Sequence, residues 1–126
     1  MRTMDDLERY LGLSGQPFDK VGEGTYLMQL QPWGVQLVVR WEPPIVLFRM
    51  KVMDMPRERR EEFMATLLRL NAGGLAHGAY GLENDHVILT DALEAENLDP
   101  NEFMATLESF ELALSQHRDA LARFQH

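Results

Sequence analysis

Asp99-Pro100-Asn101-Glu102, followed directly by Phe103-Met104-Ala105-Thr106-Leu107, forms the clearest helix start in the chain. Asp99 is a good capping residue, Pro100 suits a first helical turn because it has no N–H to leave unpaired, and Glu102 places a carboxylate at the third position. Apolar side chains then recur at steps of four and three as far as Phe124, with His117 filling the one gap. The pattern predicts a long C-terminal helix with one apolar face.

The hexapeptide Glu-Phe-Met-Ala-Thr-Leu occurs at 62–67 as well as at 102–107, near a second predicted helix start. Apolar residues from Phe63 to Leu70 trace one face of this earlier helix, and Gly73-Gly74 ends it. Two strands are expected between the helices, at 75–82 and 86–93 around Glu83-Asn84-Asp85. Residues 61–126 are therefore expected to form a helix, a β-hairpin and a helix, with the repeated hexapeptide covering one sheet.

The first half of the chain changes from a helical to a strand pattern near Phe18. Met4, Leu7, Tyr10 and Leu11 recur at helical spacing, and three apolar segments follow at 26–30, 35–41 and 45–53, separated by turns rich in Pro and Gly. We therefore predict one α+β domain over residues 1–126. The domain should contain an antiparallel sheet of about five strands together with three helices, in the order α-β-β-β-α-β-β-α.

Composition excludes several function classes. The 126 residues include 45% apolar residues and no cysteine, which rules out a thiol nucleophile, a disulfide framework and a thiolate zinc site. The formal charge of −8 opposes binding to nucleic acid or anionic lipid, and the only dense basic cluster, Arg57, Arg59 and Arg60, is interleaved with glutamates. Acidic residues near Met1 and the lack of a long apolar run predict a cytoplasmic protein without a membrane span.

No residue pattern indicates catalysis, a metal or a cofactor. His77, His86, His117 and His126 are separated by 9, 31 and 9 residues, which matches no shared ligand spacing. The serines lack a nucleophile-elbow context. One alternative stays open at this point. His77 and His86 lie on adjacent predicted strands, where they could face each other and form a small-ligand or enzyme site with the acidic stretch at 91–99.

Apolar side chains remain on the predicted sheet after one of its faces has been buried. Strands place alternate residues on opposite sides, so Val46, Phe48, Met50 and Val52 are expected to face the helices. The other face then presents Ile45, Leu47 and Met53 beside Arg49 and Lys51. Three helices are few to cover both faces, so this surface is a candidate for binding another protein.

Four segments combine with the element order into a recognisable pattern: Leu67-Leu68-Arg69-Leu70-Asn71, Gly78-Ala79-Tyr80-Gly81-Leu82, His86-Val87-Ile88-Leu89 and Leu98-Asp99-Pro100-Asn101-Glu102-Phe103. They supply a Leu-rich helix ending in Asn, a hairpin that contains glycine, and a long capped C-terminal helix. This pattern resembles two related bacterial groups, the class I type III secretion chaperones and the YbjN family. The resemblance covers nearly the whole chain.

This resemblance implies an acidic homodimer that binds a segment of a client or regulatory protein without catalysis or cofactor. The dimer interface would include Met64, Leu67 and Leu68. Together with the strand analysis, it makes these residues candidates for partner binding: Leu7, Leu11, Ile45, Leu47 and Met53. A secretion chaperone is the leading interpretation, a YbjN-type regulatory or stress-related protein is the first alternative, and a ligand site at His77 and His86 is the second.

Overall fold

The structure is a computed structural model that describes residues 2–125, and its elements alternate between helices and an antiparallel sheet. The four helices are α1 (Met4–Leu13), α2 (Arg60–Gly73), α3 (Pro100–Gln116) and α4 (Arg118–Ala122). The six strands are β1 (Phe18–Gly22), β2 (Thr25–Leu30), β3 (Val35–Glu42), β4 (Ile45–Asp54), β5 (Ala79–Glu83) and β6 (His86–Glu94).

All strands belong to one antiparallel sheet in the order β1-β2-β3-β4-β6-β5. This confirms the α+β prediction, with six strands in place of about five. The additional strand is β1, which pairs Phe18 with Met28. Its alternation was not recognised because Asp19, Lys20 and Gly22 interrupt the apolar signal on an edge strand. The helix α2 connects β4 to β5, and β6 then returns between those two strands.

The helices pack on one face of the sheet, which we call the core face. Phe48 of β4 lies on this face, with its ring centroid 5.6 Å from that of Phe103 and 6.4 Å from that of Phe110, both on α3. Phe103 also contacts Tyr10 of α1 at 6.1 Å. Alternate residues of the central strands are fully buried here, as the period-2 pattern predicts: Tyr26, Met28, Leu37, Val39, Val46, Phe48 and Leu89.

The predicted C-terminal helix is divided into α3 and α4 at His117, so the structure has four helices in place of three. His117 has φ −100° and ψ −20°, away from regular helical values, and its ring is buried. Its Nδ1 lies 2.8 Å from the hydroxyl of Tyr80 on β5. The break thus coincides with a buried side-chain hydrogen bond to the sheet, a tertiary contact that helical spacing does not encode.

A β-bulge on β4 changes the face on which its last residues lie. The register between β4 and β6 shifts between Lys51 and Met53, which leaves Val52 as the extra residue. Met53 therefore lies on the core face and is buried, whereas strict alternation placed it on the opposite face. The prediction for Val46, Phe48 and Met50 on the core face is correct because these residues precede the bulge.

The described helices do not include a membrane span: none within residues 2–125 is both long enough and apolar enough to cross a bilayer.

Candidate partner-binding surfaces

The sheet face opposite the helices is the first candidate surface. We call it the outer sheet face, and define its apolar part as Leu27, Val38, Ile45, Leu47 and Ile88. These residues come from four adjacent strands, and each is partly or largely exposed in the described chain. Because all four helices pack on the core face, no helix within residues 2–125 covers them. The alternating pattern of the strands thus leaves apolar side chains from four strands on the surface.

Basic side chains alternate with the apolar ones on the outer sheet face. The register pairs Val38 with Arg49 and Arg40 with Leu47, so each cation has an apolar neighbour across the strands. Arg49 forms an ion pair with Glu83, and Lys51 Nζ lies 2.9 Å from Asp54 Oδ1. These pairs are about half exposed and stabilise the chain little, so a partner can replace them at small cost.

A pocket of about 640 Å³ lies where α1 begins beside the end of the β3–β4 hairpin. We call it the N-terminal pocket, and it is lined by Arg2, Thr3, Met4, Asp5, Trp41, Pro43, Pro44, Ala95 and Glu96. Its walls are held by backbone hydrogen bonds from Trp41 to Gly24 (2.7 Å) and from Ala95 to Pro44 (2.9 Å). The pocket adjoins the outer sheet face through Ile45, which follows Pro44 directly.

Sequence reasoning missed the N-terminal pocket because its walls come from segments about forty and fifty residues apart. One local signal was present. Trp41 is followed by Glu42-Pro43-Pro44, and the two prolines interrupt the strand ladder, which places the indole ring near the end of a strand.

The structure brings only part of the predicted partner-binding set to the surface. Ile45 and Leu47 lie on the outer sheet face, as expected. Leu7 and Leu11 are fully buried between α1 and the core face, so their side chains leave no area for a partner. Met53 is buried as well, because the β-bulge places it on the core face. We therefore correct the expected surface to Ile45 and Leu47, together with the neighbours that the sheet places beside them.

A second apolar surface lies on α2 and the neighbouring edge strand β5. We call it the α2 surface, and define it as Met64, Leu68 and Leu82, which are 39%, 67% and 48% exposed. Two of these residues, Met64 and Leu68, were predicted from the sequence. The third predicted residue, Leu67, is buried in the core, because it lies on the side of α2 that faces the sheet.

A side-chain amide attaches α2 to β5. Asn71 Nδ2 donates to the Tyr80 carbonyl oxygen at 3.1 Å, and the Tyr80 N–H donates to Asn71 Oδ1 at 2.7 Å. The amide therefore binds Tyr80 as a neighbouring strand would, and it occupies backbone groups on the outer side of this edge strand. The α2 surface is in this way connected rigidly to the sheet.

The histidines do not form a common site. His77 lies before β5, and its Nδ1 is 3.9 Å from Asp91 Oδ2. His86 is at the other end of β6, with Nδ1 3.0 Å from Asp54 Oδ1. Ala79 pairs with Thr90 and Glu83 pairs with His86, so the length of β5 separates the two rings. The two rings therefore do not face each other, and the alternative of a joint site at His77 and His86 is not supported. His126 lies outside the described residues.

No group of three metal-binding side chains occurs among residues 2–125. Burial lowers the pKa of His117 below its usual value, so this ring is neutral near pH 7 in the folded chain. Burial also raises the pKa of its partner Tyr80. Both shifts follow from the packing of these side chains.

Comparison with protein families identifies the class of protein that this fold and these surfaces define. The chain belongs to the CesT_Tir_1 family, a type III secretion chaperone family, whose model matches residues 1–126. Comparison with curated protein sequences gives no significant match.

Solved structures with the same fold include chains of two protein complexes and a proposed transcription regulator. A chain of the heterodimeric complex ExoU–SpcU from the type III secretion system of Pseudomonas aeruginosa has a TM-score of 0.71 at 15% identity, over 95% of this chain and 98% of that one. YbjN from E. coli, a proposed transcription regulator, has a TM-score of 0.69 at 16% identity, over 96% of this chain and 93% of YbjN. A chain of the ExsC–ExsE complex has a TM-score of 0.66 at 19% identity, over 98% of this chain and 96% of that one.

Proposed function

We propose that this chain is a cytoplasmic secretion chaperone that binds a segment of a client protein, as a homodimer and without catalysis. The observation that supports this most is the outer sheet face, a complete face of a six-stranded sheet with apolar side chains and no covering helix within residues 2–125. Membership of a secretion chaperone family supports the binding of a client protein at this surface. Similar folds occur in chaperone–effector complexes such as HopA1–SchA, which supports a protein as the partner.

The client segment is proposed to bind across the outer sheet face and into the N-terminal pocket. An extended segment places alternate side chains on opposite sides, so one set of its side chains can contact Leu47 and Val38 while the other faces solvent. Ile45 lies between this area and the pocket, and a larger apolar side chain of the client fits the space beside Trp41. Burial of apolar area on both partners supplies the binding free energy.

Strand addition at a sheet edge is a further way to hold an extended segment, and we place it at β1. At the opposite edge, the Asn71 amide already occupies the N–H and carbonyl groups of Tyr80. A client strand at β5 would have to displace both hydrogen bonds. The strand β1 is adjacent to β2, which contributes Leu27 to the outer sheet face.

The homodimer is proposed to form through the α2 surface. Met64, Leu68 and Leu82 are large apolar residues exposed on one edge of the chain, away from the outer sheet face. A two-fold interface uses the same residues on both subunits, so a small patch is buried twice. Because Asn71 connects α2 to β5, this interface would also join the two sheets rigidly.

The experiment begins with affinity capture of the client from the source organism, followed by reconstitution of the purified pair. Ile45→Asp should weaken client binding at least about tenfold, because a charge then lies in the middle of the apolar contact. Leu13→Asp is the matched control, since Leu13 is exposed at the far end of α1. Equal affinities for the wild type and Ile45→Asp, measured by isothermal titration calorimetry, would contradict the proposed site.

A YbjN-type regulatory protein is the second candidate function. The supporting observation is the similarity to YbjN over 96% of the chain, with a TM-score between those of the ExoU–SpcU and ExsC–ExsE chains reported above. In this case the outer sheet face would bind a regulatory protein. The identity of the captured partner separates the two functions: a protein exported by a secretion system supports the chaperone, and a regulatory protein that stays in the cell supports the alternative.

A further inference from the structure

An apolar groove on the helical side of the molecule belongs to none of the three surfaces described above. It has a volume of about 300 Å³ and is lined by Trp33, Glu108, Glu111, Leu112 and Ser115. The four residues of α3 lie on the side of the helix that faces away from its buried residues, because they are spaced three, one and three residues apart. Leu112 is 52% exposed, a large exposure for a leucine beside a tryptophan.

The turn between β2 and β3 positions Trp33 against this side of α3. The N–H of Gly34 donates to the carbonyl oxygen of Leu30 at 2.8 Å, and Gly34 has φ 69°, a conformation that favours glycine. The turn is therefore tight, and Trp33 is partly buried against the core while part of its ring remains in the groove. The backbone of the turn thus holds Trp33 beside the groove.

The charge in this groove is not compensated. Neither Glu108 nor Glu111 takes part in an ion pair within residues 2–125. The last turn of α3 also contains no basic residue. Burial, and then the negative charge of Glu108, raise the pKa of Glu111. Two carboxylates beside an aromatic ring and an exposed leucine thus give a surface that is both apolar and negative.

We propose that this groove binds an arginine- or lysine-bearing segment of a protein partner, with the cation beside Glu108 and Glu111. The aliphatic stem of such a side chain would cover Leu112 and Trp33, because arginine and lysine bury their methylene groups while their charge stays in water. The face of the indole ring attracts a cation in addition. Arginine fits better than lysine, since its planar guanidinium group stacks on an aromatic ring and can contact two carboxylates.

The groove does not depend on the proposed client site. The groove shares no lining residue with the outer sheet face or the N-terminal pocket, where the client is proposed to bind, so both sites can be occupied at once. A chaperone with these two surfaces could hold its client while a second, basic protein binds to α3. Loss of client binding would leave this proposal intact, and loss of groove binding would leave the client site intact.

A short peptide of defined sequence tests the groove directly. The probe is acetyl-Leu-Arg-Ala-Leu-Arg-amide, and its matched control contains citrulline, the neutral isostere, in place of both arginines. The protein carries Trp41→Phe, so that Trp33 is its only tryptophan and reports binding by fluorescence and by the NMR signal of its indole N–H. Glu108→Gln/Glu111→Gln removes both carboxylates. Glu61→Gln/Glu102→Gln changes the net charge equally at two exposed helical positions outside the groove.

The arginine peptide should produce a saturable change in the Trp33 signals. Binding should be about tenfold weaker for Glu108→Gln/Glu111→Gln, the effect of losing two partly exposed ion pairs. The citrulline peptide should be weakened to a similar degree, and the control variant should bind as the parent does. Added salt should reduce binding by the arginine peptide.

Three results of the peptide titrations would overturn the proposal. They are no saturable change at millimolar arginine peptide, equal binding of the citrulline peptide, and equal loss of binding in the two double variants. Sedimentation of the same variants adds a further test: if Glu108→Gln/Glu111→Gln lowers the oligomeric mass, the groove is occupied by a second copy of this chain, and the proposal of a separate basic partner is wrong.

Discussion

Substitution of Leu68 by aspartate is expected to separate the proposed homodimer into monomers. Complete burial of a leucine side chain is worth about 1.5–3 kcal/mol. Leu68 is 67% exposed in the single chain, so burial of this exposed part in the dimer contributes about 1–2 kcal/mol for each protomer. A two-fold interface counts this contribution twice, which gives about 2–4 kcal/mol for the dimer.

The dissociation constant of the dimer should therefore increase in Leu68→Asp, by a factor between about thirty and about a thousand. The buried charge of the aspartate adds to this effect. Sedimentation equilibrium over a range of micromolar concentrations measures the constant. Leu13→Asp is a closely matched control, because Leu13 is 65% exposed on α1, and it should dimerise as the wild type does. A monomeric wild type, or an unchanged constant in Leu68→Asp, would refute the assignment of the α2 surface.

Three further predictions concern the stability of the fold. Phe48→Ala should lower the free energy of unfolding by about 3–5 kcal/mol in urea denaturation, because this ring contacts two phenylalanines of α3; a loss below about 1 kcal/mol would show that the core is assigned wrongly. Asn71→Ala should cost about 2 kcal/mol, because it removes both hydrogen bonds to Tyr80. Burial lowers the pKa of His117 below 6.5, so the unfolded chain binds its proton more strongly. The free energy of unfolding should therefore decrease as the pH falls below about 6.5, and His117→Gln should reduce this slope; an equal slope in that variant would show that other groups cause it.

Local signals in the sequence were sufficient for the order of the main helices and strands. The cap at Asp99 is present in the structure, where its side chain accepts a hydrogen bond from the Glu102 N–H at 2.8 Å. The alternation of β4 correctly divided Val46, Phe48 and Met50 from Ile45 and Leu47. These features depend on neighbours within one turn or one strand, and such neighbours are visible in the sequence.

Features that depend on distant contacts could not be predicted in the same way. The bulge that buries Met53 arises from pairing with β6, which is more than thirty residues away in the chain. The helix break at His117 accompanies a hydrogen bond to Tyr80. Leu7 and Leu11 were assigned to a partner, although their helical spacing is equally typical of residues that face a core, and the structure buries both. Periodicity identifies an apolar face but does not say what covers it.

The central claim, that the outer sheet face binds a client protein, is tested most directly by site-specific photo-crosslinking. A photoreactive amino acid replaces Ile45 in one protein and Leu13 in another, both exposed in the free chain, and each is produced in the source organism. Mass spectrometry then identifies the crosslinked peptides. We predict that position 45 crosslinks to one segment of a single exported protein and that position 13 does not. Equal crosslinking at both positions, or none at position 45 while the client still co-purifies, would contradict this account.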